Sequence, residues 1–297
     1  MASKISVLLY SHNRAEQFRA NLELVLAQSY PAEDFEVLAM DDASGDGTWA
    51  MLTAIAASGE RGNLRILRNS SNLDIGGCRA ELYRNISPES SLVLLMDDDV
   101  ALPPDFLSWA AAYMAANPGV GALGPRVVYH KDPSRPAHYP NFVSPVTGFY
   151  SSRGADAATD CDWLIACCVC FRREALAQAG GFDASFVSSH EEVDLCLKIK
   201  AAGYRVVYDP ERTVTHDIAE KKRKSDRLYY LYRNKFLVIR KNFRLPWNIT
   251  ATLAILFLGF PRYIADSLVQ NRGVNAAELR TIVKAVFDGL RGRGGKL

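Results

Sequence analysis

The sequence has no apolar run long enough to cross a bilayer. Ile249 to Phe260 covers only 12 residues before Pro261 and Arg262, where a spanning helix needs about 20. A packed helix, or one lying in the plane of a membrane surface, remains. Cysteine spacing also lacks a pattern. Cys78, Cys161, Cys167, Cys168, Cys170 and Cys196 show neither the repeated intervals of a disulfide framework nor those of a zinc module. The cluster at 167 to 170 sits in an apolar run, which reads as buried, reduced thiols in a reducing cytoplasm. Charge of one sign is scarce: the formal net charge of +2 argues against a chain-wide nucleic-acid-binding role. Neither G-x-G-x-x-G nor a P-loop occurs, which removes support for a classical dinucleotide fold and for an ATPase. The N-terminal MASKISVLLYSHNR has too short an apolar run for a secretory signal and leads straight into a strand pattern.

What is present is ordinary globular material, 48% hydrophobic and 23% charged over 297 residues, enough for one large domain or two joined compact ones. The first hundred residues alternate strand-like and helix-like segments, the pattern of βαβ units and a largely parallel sheet. Ile5 to Tyr10, Phe35 to Met40 and Leu64 to Leu67 read as strands. Phe18, Leu22, Val25 and Leu26 form the apolar stripe of a helix over 14–29. A fourth strand, SLVLLMDDDV, ends in Asp97, Asp98 and Asp99. Side chains alternate along an extended chain, so Asp97 and Asp99 face one way and Asp98 another. Three adjacent acids repel one another. Either they form a solvated acidic turn, or a divalent cation of the Mg²⁺ or Mn²⁺ kind sits among them with substrate phosphates as further ligands.

Two more polar loops follow strands on the same side: DDASGDGT after the second, and RNSSNLDIGGCR after the third. Gly76 and Gly77 would permit close backbone approach to a ligand, and Arg79 offers a fixed cation. Ligands of open α/β sheets gather at the carboxyl ends of strands, so the site belongs there.

Beyond residue 103 the pattern loosens. A helix is expected over 104–117, a strand over 120–128, and a long polar loop over 129–158 that could cover substrate. Trp163 to Phe171 reads as a buried strand, followed by a short helix over 173–179. Ser189 and Glu192 have capping-box spacing ahead of a helix over 191–202. The acids Glu191, Glu192 and Asp194 are then either helix-end partners of the dipole or a rigidly held base for a substrate hydroxyl. Strand-like stretches at 204–208 and 213–217 precede a basic run, Lys221, Lys222, Arg223 and Lys224, which continues through Arg244 with interleaved tyrosines. That run suits a solvated helix face, a diphosphate or an anionic membrane. The terminal RGRGGKL looks frayed.

Together these residues resemble the family 2 glycosyltransferases, inverting nucleotide-sugar enzymes of GT-A fold, over roughly residues 4 to 245. ISVLLYSHNR is similar to the family's first strand and nucleotide-contacting turn, which implicates Ser11, Asn13 and Arg14. DDASGDGT resembles the element that holds the nucleotide base, through Asp42 with Asp41. NLDIGGCR is similar to the donor loop and implies Gly76, Gly77 and Arg79 near the diphosphate or ribose. LLMDDDV matches the D-x-D element: Asp97 and Asp98 would lie at the donor, and Asp97 and Asp99 at the metal, completed by His216 in VTHDI. GGFDASFVSSHEEVDLCLKIKAAGYRVVY is the most specific match, and it implies Glu192 as general base, with Glu191 or Asp194 as alternatives, because Glu replaces the usual Asp. Asp162 and Trp163 fall where the family shapes its acceptor site, and a common Gly is replaced around Ala166 and Cys167. YYLYRNKFLVIRKNF resembles a subgroup acting on bacterial surface glycans, rhamnosyl- and galactofuranosyl-type enzymes among them.

The resemblance implies an α/β GT-A fold: a nucleotide-sugar-binding half at 1–100, a metal- and acceptor-binding half at 101–222, and a C-terminal helical, membrane-associating region at 223–297. It implies a divalent cation, a UDP- or dTDP-linked donor, a glycan or lipid-linked saccharide acceptor, and a cytoplasmic enzyme peripheral on the inner face of the plasma membrane. The rival readings are a catalytically silent nucleotide-binding scaffold at a membrane and a sugar-phosphate nucleotidyltransferase.

Overall fold

The computed structural model describes residues 3–59, 62–217, 225–262, 264–265 and 276–297. Four parallel strands, β1 (Ile5–Ser11), β2 (Phe35–Asp41), β3 (Leu64–Arg68) and β4 (Leu92–Met96), lie in the order 3-2-1-4. β1, β2 and β4 are buried almost throughout because helices cover both faces. Ile5, Val7 and Leu9 point to the face packed by α1 (Ala15–Leu26), α2 (Thr48–Ala57) and α4 (Phe106–Ala116), whereas Leu8 joins the opposite core with Cys78 and Leu82 of α3 (Asp74–Arg84).

The sheet does not stop at residue 100. β11 (Cys168–Arg172) runs antiparallel to β4 and connects it to β6 (Val120–Tyr129), which pairs in parallel with β12 (Arg205–His216). The short β5 (Val100–Ala101) pairs with the end of β12 beside His216, so the chain leaving the three aspartates is stitched to that histidine. α5 (Arg173–Gln178) and α6 (Glu191–Ala201) pack on the second face. With β10 (Thr159–Asp160) antiparallel to β12 at the edge, ten strands form one mixed sheet in this α/β fold. All six cysteines are free and buried.

Several local expectations are corrected. The polar segment over 129–158 is not one long loop. It contains β7 (Asp132–His138), paired with β6, and a small sheet of β8 (Asn141–Val143) and β9 (Tyr150–Ser152). The buried strand begins at Cys168, not Trp163, which makes an isolated bridge to Asn141. Gly76 and Gly77 lie in the first turn of α3, not in a loop. A Cβ at Gly76 would stand 2.1 Å from the carbonyl oxygen of Phe186, so this glycine admits the protein's own backbone. The capping box does not form. His190 is the N-cap of α6 without a side-chain cap bond, and Ser189 and His190 both have φ of +68°, a left-handed conformation that costs a non-glycine residue about 1–3 kcal/mol.

The C-terminal helices are α7 (Ser225–Asn242), α8 (Trp247–Ala254) continuing into a π-helical turn at Ile255–Gly259, and α9 (Ala276–Leu290). Tyr229, Tyr230 and Tyr232 of α7 meet Ile282 and Ala285 of α9. The tail is not frayed: Gly295 N–H donates to Ser185 O at 2.9 Å, and Lys296 Nζ pairs with Asp74 at 2.9 Å. The expected basic run Lys221 to Lys224 lies outside the described residues. Among those described, no helix is long and apolar enough to cross a membrane.

Candidate active site

Strand ends bring the acids together. Asp97, Asp99 and His216 present one ligand atom each within 4.8 Å of one another. Asp99 Oδ1 stands 3.0 Å from His216 Nε2 and its Oδ2 is 3.2 Å from Arg14 Nη1. Asp98 lies in the turn that follows the end of β4 at Met96 and is directed toward β1. Its carboxylate accepts from Ser11 Oγ and, at 2.8 Å, from Arg14 Nη1, while Asn21 donates to its carbonyl. Ser11, Arg14 and Asp98 are therefore partners of one another, anchoring the acidic turn to β1. Burial pushes the Asp98 carboxyl up from its ordinary value against the pull of Ser11 and Arg14.

Arg79 reaches from α3 into the middle of the site. Its guanidinium donates to Asp97 at 3.0 Å, to Glu191 at 2.9 Å and to the carbonyl of Ala166 at 3.0 Å. It is 3% exposed, so it serves as an internal brace between the two acidic elements. Removing one partner of such a buried arrangement costs about 3–5 kcal/mol.

Glu191 and Glu192 open α6 side by side. Each has one buried carboxylate oxygen with no hydrogen-bond partner. Burial, with Glu191 adjacent, pushes Glu192 up to about 8, and burial also raises Glu191 despite Arg79. A carboxyl in this state keeps its proton through neutral pH and, once ionised, is a stronger base than an ordinary carboxylate, a property suited to a general base. Asp194 is placed elsewhere. It is clasped by Lys198 at 2.6 Å and by Asn242 at 2.7 Å, facing α7, so it is not beside the two glutamates as an interchangeable base.

The loops after β1, β2 and β3 are held by their own buried polar contacts. Asp42 accepts from Asn69 Nδ2 at 2.7 Å, Leu73 N–H at 2.8 Å and Asp74 N–H at 3.2 Å, which fixes the chain entering α3. Asp41 accepts from Ser44 N–H at 3.0 Å and pairs with Arg68 at 3.1 Å. Asn13, with φ of +56°, is locked to Ser44 and Gly45. Asp41 and Asp42 are buried and engaged by the protein itself.

Asp162 accepts from Val143 N–H at 2.8 Å and from Lys200, tying β8 in place. Trp163 meets Tyr150 edge-on at 5.5 Å between centroids, and its indole N–H is buried without a partner. Sequence reasoning missed three neighbours. Tyr150 lies 5.4 Å from the ring of His190, and Lys235 Nζ sits 4.5 Å over Tyr150. Burial, with Lys235 nearby, pushes His190 down to about 3. Lys235 and Arg233 belong to the stretch read as a solvated or anion-facing run, yet both are buried; their spacing on α7 was the available signal. A second set, His138, Cys167 and His216, also lies within 4.8 Å.

The donor set fits a divalent cation. Asp97 and Asp99 offer hard oxygens, His216 a nitrogen, and the carboxylates of the cluster outnumber Arg14 and Arg79.

Comparison with known proteins gives concordant matches. A family model described as "Glycosyltransferase like family 2" matches residues 3–236. An uncharacterized protein, y4gI, of Sinorhizobium fredii is 26% identical over 225 residues, 71% of this chain, and the match spans only 24% of that longer protein. The N-acetylglucosaminyl-diphospho-decaprenol L-rhamnosyltransferase of Mycobacterium tuberculosis is 27% identical over 230 residues, 68% of this chain and 71% of that one. Among solved structures, the mannosyltransferase PcManGT of Pyrobaculum calidifontis, in complex with GDP-Man and Mn²⁺, superposes with a TM-score of 0.63 at 18% identity, covering 97% of this chain and 81% of that chain. At that identity the likeness establishes the GT-A fold.

Proposed function

The chain belongs to the family of glycosyltransferases like family 2, and from that premise we propose that it moves a sugar from a nucleoside-diphosphate sugar, UDP- or dTDP-linked, to a hydroxyl of a glycan or lipid-linked saccharide. The observation that carries the reading is the buried Glu191–Glu192 pair, whose Glu191 is braced by Arg79 to Asp97 of the metal-competent cluster. Glu192 takes the proton of the attacking hydroxyl, and its raised pKa matches that task. Glu191 is committed to Arg79, which makes Glu192 the better base of the two.

Asp97, Asp99 and His216 would hold Mg²⁺ or Mn²⁺, whose contribution is to offset charge growing on the departing diphosphate. Attack from the Glu192 side, opposite the leaving group, inverts the anomeric carbon in one displacement. The engaged carboxylates of Asp41 and Asp42 hold the loops that frame the nucleotide, with Asn13, Gly76 and Gly77 in the same wall. Trp163 and Tyr150 offer ring faces to an acceptor sugar, and Asp162 fixes the strand beside them. The M. tuberculosis relative's named substrate motivates the choice of a lipid-linked acceptor, and with it a cytoplasmic enzyme working at the membrane.

The test is release of nucleoside diphosphate from labelled UDP- and dTDP-sugars, with Mn²⁺, Mg²⁺ or neither. Metal-dependent release with transfer to an acceptor supports the reading. Nucleotide binding without turnover under every condition returns the chain to the silent-scaffold reading.

A further inference from the structure

We propose that the outer face of α8 and the π-helical turn after it seats this protein on an anionic lipid bilayer, beside the acceptor end of the site. Helices in water bury their large apolar residues and expose polar ones. This segment does the reverse. Leu245, Trp247, Ile249, Leu253, Phe257 and Leu258 are 70, 45, 53, 47, 72 and 62% exposed, while Ala251, Ile255 and Gly259 face inward. Ile249, Leu253 and Phe257 follow at intervals of four, a stripe along one side. Contiguous apolar surface rimmed by polar residues marks an interaction site.

Charge identifies the occupant. From Arg227 to Ala265 the chain has no Asp or Glu; Arg233 and Lys235 are buried and Lys241 pairs with Asp183, which leaves Arg227, Arg240, Arg244 and Arg262 as the exposed cations of the segment. Arg244 and Arg262 are exposed at the two ends of the apolar stripe, and Arg240 lines a groove of about 280 Å³ walled by Ile239, Ile249, Leu253 and Leu290. A second copy of the chain would bring the same cations face to face across a two-fold axis, which like-charge repulsion opposes. An anionic bilayer offers both complements, hydrocarbon for the stripe and headgroup charge for the arginines, at about 1 kcal/mol per basic residue near the surface. The segment is too short to span, so it lies in the interface.

The surface continues into the site. A Cβ at Gly259 would lie 3.2 Å from the ring of Phe149, and the next residue, Tyr150, meets His190 at a tilt with ring centroids 5.4 Å apart; His190 immediately precedes Glu191. The bilayer contact and the base are therefore joined by one layer of aromatic side chains. The orientation toward a lipid-linked acceptor rests on the proposed transferase reading; the bilayer contact does not.

The experiment is sedimentation of the full chain with phosphatidylglycerol-containing vesicles and with phosphatidylcholine vesicles, at low and physiological salt. Wild type should partition to the anionic vesicles. A Phe257→Ser, Leu258→Ser variant should bind them about tenfold or more weakly, since it removes large apolar area from the contact. An Arg244→Glu, Arg262→Glu variant should lose the preference for anionic lipid. Trp247 emission should be quenched by brominated lipid, and that quenching should disappear in Trp247→Phe. Donor hydrolysis without acceptor should be unchanged in the serine variant, which separates failure of the surface from failure of the transferase reading. Equal sedimentation of wild type and serine variant overturns the proposal. So does a concentration-dependent dimer that Phe257→Ser dissolves, because a second copy would then cover the face.

Discussion

The two ends of the site are built on opposite electrostatic plans. In the loops after β2 and β3, Asp42 is met by Asn69 and the Leu73 and Asp74 N–H groups, and Asp41 by Ser44 N–H and the Arg68 ion pair. At the start of α6, Glu191 and Glu192 are buried with an oxygen each left without a hydrogen bond, and His216 Nδ1 and the Trp163 indole N–H are likewise unmatched. The first arrangement ties its loops chiefly to one another, with Asp41 Oδ2 as the one carboxylate oxygen there that makes no hydrogen bond among the described residues. The second stores desolvation cost that a metal, a diphosphate and an acceptor hydroxyl would relieve. Structural carboxylates and reactive ones are told apart here by their partners, although both kinds are equally acidic in sequence.

Breaking the reactive end should have the larger consequences. Glu192→Gln should lower kcat by roughly 10²–10⁴-fold, the usual scale of general-base catalysis, while nucleoside-diphosphate binding measured by calorimetry stays near wild type. Transfer at the wild-type rate would remove Glu192 from the role. Asp99→Ala should reduce metal-dependent turnover on the order of 10²–10³-fold, with a weakened Mn²⁺ titration as the direct readout. Arg79→Met leaves Asp97 and Glu191 facing one another without their shared cation, so chemical denaturation should show a loss of about 3–5 kcal/mol.

The pH dependence sharpens the contrast further. Activity should rise with pH to a half-maximum near 8 as Glu192 loses its proton. Stability should move the other way. A carboxyl with a raised pKa holds its proton more tightly folded than unfolded, so its ionisation removes stability as pH climbs from about 4.5 toward about 8. Melting temperatures measured across that window should decline more steeply for wild type than for Glu192→Gln, and parallel slopes would contradict a buried, proton-holding Glu192. The smallest effect belongs to the frame. Asp42→Asn should cost about 1–3 kcal/mol by weakening its grip on the Leu73 and Asp74 N–H groups, with donor affinity loosened through the loop and kcat little changed.

Much of this architecture is legible in the chain. The βαβ half follows from short apolar runs separated by amphipathic helices. Asp97 and Asp99 converge as expected, but through a turn after Met96 rather than strand alternation, and Arg14 Nη1 bonds both Asp98 and Asp99. What sequence could not give depends on distant partners. The 129–158 stretch reads as loop because Pro133, Pro136 and Pro140 and its polar residues hide β7, whose pairing comes from β6. Ser189 and Glu192 have the right spacing for a capping box, but the packing of His190 under Tyr150 forces a left-handed turn instead. Arg79 was legible as a fixed cation, whereas its brace between Asp97 and Glu191 spans 112 residues of sequence. Asp194 resembles its acidic neighbours until Lys198 and Asn242 are seen to hold it.

The most direct test of the account is calorimetric binding of UDP, dTDP and GDP, with and without Mn²⁺, to wild type, Asp99→Ala and Glu192→Gln. The account predicts that one nucleotide binds tightly only with metal, that Asp99→Ala abolishes this dependence, and that Glu192→Gln preserves it. Binding that ignores both the metal and Asp99 would contradict it.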